Sequence, residues 1–274
     1  MKDFRDRVAV ITGAGSGIGR ALADELTDAG IGGLALVDVS DARLKEAERE
    51  LAGRVRTSIH VVDVSNRAAM QALPEQVLAI HRRVDIVINN AGVAVAGELE
   101  QQSFEDMEWI VGINFWGVVH GCRFFLPHLR KSDDAYIVNL SSMFGLIGIP
   151  GQSSYCATKF AVRGFSESIA AELGDTPIRV MSVHPGGIRT NIVKDGRFVA
   201  GMETFHVKMM RFFEKRTMPA EKCAALIVDA MRKGRSRLLV TPEAHVTDVA
   251  KRLFPRLPQS WVAKASALVT GKQR

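Results

Sequence analysis

The chain has 274 residues, 47% hydrophobic and 24% charged, the proportions of an ordinary soluble globular protein with material for a substantial core. No continuous apolar run approaches the roughly 18 residues of a spanning helix, and the charged opening MKDFRDRVAV does not read as a secretory leader. The net charge of +6 comes from dispersed Lys and Arg, which disfavours nucleic acid and leaves a phosphate-bearing cofactor as the expected anionic partner.

Short β-branched runs alternate with longer helical patterns. Strands are expected at Val8–Thr12, Leu34–Val37, Ser58–Val62, Ile86–Asn89, Tyr136–Leu140 and Arg179–His184. Between them Ser40 caps a helix over Asp41–Leu51, and Asn66–His81 follows with Pro74 as a candidate break. Phe104–Leu129 and Tyr155–Leu173 read as two further helices. Apolar strands alternating with helices predict an α/β fold, a doubly wound parallel sheet (Rossmann-like) with helices on both faces, in a single domain over 1–274. Residues 1–187 form its core. After about Gly187 the rhythm changes, and 188–218 collects Phe198, Met202, Phe205, Met209, Met210, Phe212 and Phe213 among basic residues. From 219 to 274 a helix is expected over Ala220–Arg232, a strand at Leu238–Val240, then a tail whose Pro242, Pro255 and Pro258 interrupt any long helix.

Cys122, Cys156 and Cys223 lie far apart without metal or redox spacing and read as packing thiols in a reducing cytoplasm. The histidines form no compact ligand set, His184 reads as structural, and no catalytic metal is expected.

TGAGSGIGRA, Thr12–Ala21, joins the first strand to the first helix. Ile18 and Arg20 break the GxGxxG spacing, and the loop matches G-x-x-x-G-x-G through Gly13, Gly17 and Gly19. Glycine permits the tight turn and the close approach of a pyrophosphate, whose charge the helix N-terminal amides receive. A loop that binds nothing is the competing reading, disfavoured by its place directly after a strand. Asp38 ends the second strand, at the spacing where an acid accepts hydrogen bonds from an adenosine ribose. Its charge repels the extra phosphate of NADP, and neither Ser16 nor Val39 supplies a compensating cation. NAD is therefore expected rather than NADP.

In SSYCATKF, Tyr155 and Lys159 are four residues apart and share one helix face. A free phenol has a pKa near 10 and is a poor base at neutral pH. A neighbouring ammonium, together with the positive nicotinamide of an oxidised cofactor, is expected to favour phenolate. The competing reading is a packed tyrosine with a lysine reaching past it to water.

With these motifs in one order over about residues 7 to 190, the chain resembles the short-chain dehydrogenase/reductase family. Thr12–Gly19 matches its TGxxxGxG, which implies a cofactor cradle of Gly13, Ser16, Gly17, Ile18 and Gly19. Asp63 and Val64 match the acidic residue and hydrophobic neighbour at the adenine. Asn89–Gly92 is its NNAG, with Asn90, Ala91 and Gly92 bordering the cofactor. The resemblance implies that Asn114, in GINFWG, links the lysine to solvent through water. It selects Ser142 rather than Ser141, thirteen residues before the tyrosine, to orient the substrate oxygen. Lys159 then also holds the nicotinamide ribose, Pro185-Gly186 is the PG motif, and Thr190 reaches the carboxamide. Tyr155 exchanges a proton with an alcohol or ketone while hydride passes between substrate and nicotinamide.

Met143 and Phe144 follow the serine, and the Phe/Met-rich segment falls where the family keeps a mobile substrate lid, so a secondary alcohol or ketone with apolar bulk is expected. Packing of the lid or a subunit contact explains the same residues nearly as well. Ala157, Ala161, Gly164 and Ser168 form a small-residue stripe that predicts a homodimer or homotetramer. AKRLFPRLPQSWVAKASALV fits an anionic membrane surface or, the favoured reading, an ordinary terminal extension. Three alternatives stand beside the NAD enzyme. An NADPH-dependent carbonyl or acyl-chain reductase is opposed by Asp38. A non-catalytic dinucleotide sensor is opposed by the complete Ser142/Tyr155/Lys159 set. A nucleotide-sugar epimerase commonly needs a larger substrate region.

Overall fold

The glycine loop separates β1 (Val8–Thr12) from α1 (Gly17–Asp28), and the same alternation continues along the chain. It runs through β2 (Gly33–Asp38), α2 (Asp41–Leu51), β3 (Arg56–Val61), α3 (Arg67–His81) and β4 (Ile86–Asn89). Next come α4 (Phe104–Val111), α5 (Gly117–Leu129), β5 (Ala135–Leu140), α6 (Ser153–Glu172) and β6 (Ile178–His184). The chain closes with α7 (Ala220–Arg232), β7 (Arg237–Leu239) and α8 (Pro242–Leu253). The computed structural model describes residues 1, 3–199, 207, 210 and 217–256. Met202, Phe205, Met209, Phe212, Phe213 and the tail from 257 onward lie outside the described residues.

Seven strands form one parallel sheet in the order β7-β6-β5-β4-β1-β2-β3. The path runs outward from β1 to β3, returns, and resumes at β4. The switch point therefore lies between β1 and β4, where ligands of such sheets bind beyond the strand ends. Those two strands end in the glycine loop and in NNAG.

Alternation along each strand divides the core into two layers. Ala9, Ile11, Leu34, Leu36, Ile86, Ile88, Tyr136 and Val138 pack on one face with Leu22 and Leu26 of α1, Leu44 of α2 and Ile227 of α7. Val10, Ala35, Val37, Val87 and Ile137 pack on the other with Leu73 of α3, Phe125 of α5 and Val162 of α6. Burial on both faces is what a sheet covered by helices demands, and it explains the apolar runs.

Three expectations need correction. Phe104–Leu129 is not one α-helix: a π-helical turn, Gly112–Trp116, joins α4 to α5. This run of 26 residues reaches a mean hydropathy of 1.2, but it covers the sheet and packs on β4, β5, α3 and α6. Pro74 does not break α3, which runs through it with Pro74 itself buried. Pro242 starts α8 rather than interrupting it, because the first helical turn needs no amide hydrogen from its leading residue.

Candidate active site

At the end of β1, Gly13 and Gly17 have φ of +66° and +55°, a region that side-chain-bearing residues avoid. A Cβ on Gly19 would run into the Gly13 carbonyl, so this glycine lets α1 close on the loop. Ser16 stands at the N-cap position of α1 without a side-chain capping bond, and Ile18 packs against the core. Asn90 holds the loop from the β4 side, its Nδ2 donating to the carbonyls of Thr12 at 2.9 Å and Gly13 at 3.1 Å. Thr12 Oγ1 accepts from the amides of Asn90 and Ala91 at 3.0 and 3.1 Å, so the two motifs form one rigid rim.

Asp38 lies at the end of β2 with its carboxylate taking amide hydrogens from Gly15 and Ser40, both at 3.0 Å. A carboxylate can accept about four hydrogen bonds, which leaves capacity for a ribose diol. Asp63 follows β3 and accepts from the Ser65 amide at 2.8 Å. Val64 is buried against Gly117, and its carbonyl accepts from His120 Nδ1 at 2.9 Å. A glycine cradle at a helix N-terminus with an acid beside it fits a dinucleotide, the pyrophosphate at the loop and the adenosine ribose at Asp38.

Tyr155 and Lys159 project from the first turns of α6 toward the same rim. Lys159 Nζ donates to the Leu140 carbonyl at 2.9 Å and lies 5.7 Å from the centre of the tyrosine ring. A Cβ on Gly92 would sit 3.4 Å from that nitrogen and 3.3 Å from Asn114 Oδ1, so the last residue of NNAG gives both room. The Ser142 side chain pulls the Tyr155 phenol pKa down, and its Oγ accepts from the Phe144 amide at 3.1 Å. Ser141 faces the other way, donating to the Lys159 carbonyl at 2.8 Å, which leaves Ser142 as the serine beside the phenol.

Burial dominates the electrostatics of both groups in the protein alone. Burial pushes the Tyr155 phenol up to about 12, against a downward pull from Ser142. Burial also lowers the Lys159 ammonium to about 8. Desolvation penalises the charged form of both groups, and the proton stays on the tyrosine oxygen at neutral pH.

The Asn114 amide is engaged with the backbone of Val93, Oδ1 accepting from its amide at 2.8 Å and Nδ2 donating to its carbonyl at 2.9 Å. A further bond runs from Nδ2 to Thr158 Oγ1 at 3.3 Å. The π turn places this side chain, which pins the segment after NNAG to α6.

Tyr155 is buried in an apolar cluster with Val95 and Ile110, lined further by Trp109, Phe144 and Ile192. Phe144 meets the tyrosine ring edge-on at 6.2 Å, and the Met143 amide donates to the Pro185 carbonyl at 2.7 Å. Gly186 has no space for a side chain because Thr241 and Glu243 press against it. The Thr190 side chain reaches the glycine loop, lying 3.0 Å from where a Gly17 Cβ would stand.

Four features escaped the sequence reading. Arg43 of α2 packs against Gly15 and pairs with Asp195 at 2.9 Å, which draws a cation to Asp38 and raises the arginine pKa. Arg197 stacks on Trp109 at 3.8 Å and pairs with Asp106 at 2.7 Å, while Arg197–Phe198 pairs as a short strand with Val95–Ala96. His184 Nδ1 donates to the Ser142 carbonyl at 3.1 Å. Glu243 accepts from the Gly187 amide at 3.1 Å. None is a local pattern; each joins residues distant in sequence. Among the described residues no His, Cys, Asp and Glu group is arranged to hold a metal ion.

Residues 7–197 match the family model described as short chain dehydrogenase. A putative oxidoreductase, SadH of Mycobacterium tuberculosis, is 42% identical over 275 residues, covering 96% of this chain and 98% of its own. The 3-ketodihydrosphingosine reductase of Bacteroides thetaiotaomicron is 38% identical over 68% of this chain and 66% of its own. Among solved structures, a short-chain dehydrogenase/reductase from Burkholderia phymatum in complex with NAD is 29% identical, with a TM-score of 0.85 over 93% of this chain and 96% of that one.

Proposed function

The chain belongs to the short-chain dehydrogenase/reductase family, and on that premise we propose that it interconverts a secondary alcohol and a ketone with apolar bulk, using NAD(H) and Tyr155 as the proton carrier. The observation that carries this reading is Tyr155 buried among apolar side chains with the Lys159 ammonium 5.7 Å from its ring, and Ser142 acting on the same phenol.

The cofactor groups fall to the residues already described: the loop from Gly13 to Gly19, Asp38, Asp63 and Val64, Asn90 to Gly92, Pro185, Gly186 and Thr190. When bound, the nicotinamide supplies or accepts the hydride. Tyr155 keeps its proton at neutral pH and so enters as an O–H donor. It passes that proton to a carbonyl oxygen as the adjacent carbon receives hydride, and Ser142 hydrogen-bonds the same oxygen. In the reverse direction Tyr155 must act as base, and with its pKa near 12 it depends on positive charge nearby, from Lys159 and an oxidised nicotinamide.

NAD is preferred because the Asp38 carboxylate stands where a 2′-phosphate would approach, and the Arg43 guanidinium beside it is engaged by Asp195. The NAD-bound structural relative supports this choice. Apolar lining from Val95, Ile110 and Phe144 supports a bulky ketone, as does the similarity to the 3-ketodihydrosphingosine reductase. The small-residue stripe supports assembly as a homodimer or homotetramer through α6, since Ala157, Gly164 and Ser168 are exposed. Three buried free cysteines support a reducing compartment, the cytoplasm.

The test is NADH fluorescence during a screen of alcohols and ketones graded from small polar to bulky apolar, repeated with NADPH. Turnover of bulky apolar ketones with NADH is expected. Failure to bind either dinucleotide overturns the reading.

A further inference from the structure

The last acidic residue in the chain is Asp248, and residues 249–274 carry six Lys and Arg with no Asp or Glu. The remaining 30 basic residues match the 30 acidic ones, so the whole net charge of +6 resides in this final stretch. It begins inside α8, whose packing is inverted. Buried Ala244 and part-buried Asp248, which pairs with Arg237 at 2.5 Å and with Arg252 at 3.0 Å, face the protein. Val246, Val249 and Leu253 face outward, 69%, 54% and 68% exposed, with Phe254 following at 64%.

Spacings of three and four residues put Val246, Val249 and Leu253 on one stripe of the helix. These and Phe254 are four of the twelve exposed large hydrophobic residues among those described, gathered within nine positions. Scattered apolar side chains are normal on a surface, but a contiguous group marks an interaction site. Lys251, Arg252 and Arg256 lie on and just after the same helix, and Arg252 and Arg256 are exposed. An apolar stripe joined to unbalanced positive charge complements one kind of surface, an anionic lipid leaflet.

We propose that α8 docks the protein in-plane on an anionic membrane, with Val246, Val249, Leu253 and Phe254 entering the acyl boundary and Lys251, Arg252 and Arg256 meeting headgroup phosphates. The helix starts beside the reaction centre: Glu243 holds the Gly187 amide, and α8 packs against the turn that follows Ser142. A membrane held there lies next to the substrate region, so an apolar ketone can pass from bilayer to Tyr155 without crossing water. That delivery rests on the proposed function; the docking does not.

The experiment is sedimentation of the full chain with phosphatidylcholine vesicles, with and without phosphatidylglycerol, in the absence of substrate and cofactor. Binding to the anionic vesicles is expected, weakening as salt is raised. The Val246→Asp/Leu253→Asp variant, whose changes lie on exposed positions, should lose it while keeping the wild-type melting temperature. Lys251→Gln/Arg252→Gln/Arg256→Gln should weaken it by at least about tenfold. No binding to anionic vesicles, or binding unchanged in the stripe variant, overturns the proposal. So does a stripe variant that only lowers the mass in light scattering, which assigns the stripe to a second copy of the chain. Because binding is read without turnover, these failures leave the oxidoreductase reading intact.

Discussion

Arg43 and Asp195 are 152 positions apart and form an ion pair at 2.9 Å beside Gly15 and Asp38. Asp195 therefore engages the guanidinium that, among the described residues, stands beside Asp38. Removing the aspartate charge should free Arg43 for a 2′-phosphate. Asp195→Asn is expected to tighten NADPH binding by about threefold to tenfold, a modest change because both side chains are part-exposed. NADH affinity should hardly move. Fluorescence titration with the two cofactors checks this, and equal shifts for both would show that the pair does not discriminate.

Tyr155→Phe removes the transferable proton and little else, since the ring keeps its contact with Phe144. Turnover is expected to fall by about a hundredfold or more, with cofactor affinity retained. Near-normal activity would remove the tyrosine from the mechanism.

Gly121 of α5 lies against Asn89, and a Cβ there would collide with the asparagine Oδ1. Asn89 Nδ2 is itself tied to Asn139 Oδ1 at 2.8 Å, so it cannot move aside without breaking a buried bond. Gly121→Ala should cost about 1–3 kcal/mol of stability. Denaturant melts against the wild type measure it, and an unchanged midpoint would contradict the packing.

Burial lowers the pKa of His184 from 6.5 to about 4. The unfolded chain then binds the proton first, so this contribution to stability is complete above about 6.5 and declines as pH falls toward 4. His60 and His81, bridged by Ser58 at 2.9 Å on each side, shift in the same direction through burial. Melts at descending pH should show stability falling through this window, less steeply in His184→Gln. A flat profile would mean that the imidazole is not held neutral.

The exposed stripe on α6 predicts a dimer or tetramer in light scattering, disrupted by Gly164→Arg, because that position has open space in front of it. A monomeric wild type would leave the stripe without a partner.

Strand positions were legible because each strand alternates between two apolar layers, and TGxxxGxG, NNAG and YxxxK were legible because their spacing serves local geometry. Other features left no such trace. A π turn inserts one residue into a helix, and residues 109–119 run without charge, so no phase break betrays Gly112–Trp116. Proline reads as a breaker unless its place in the helix is known, which concealed α8 at Pro242. Asp195 meets Arg43, and His184 meets the Ser142 carbonyl, only through the fold. The burial of Tyr155 left no trace for a related reason: the lysine is visible in sequence, whereas the degree of burial is not.

The π turn also sets two phases within one continuous rod. A single added residue rotates everything beyond it by about 100° relative to a regular α-helix. Trp109 and Ile110 follow one phase and shape the wall near Tyr155; Gly121, Cys122 and Phe125 follow the other and grip the sheet. Substitutions on the α4 side can therefore accumulate near Tyr155 without disturbing the register that holds Asn89.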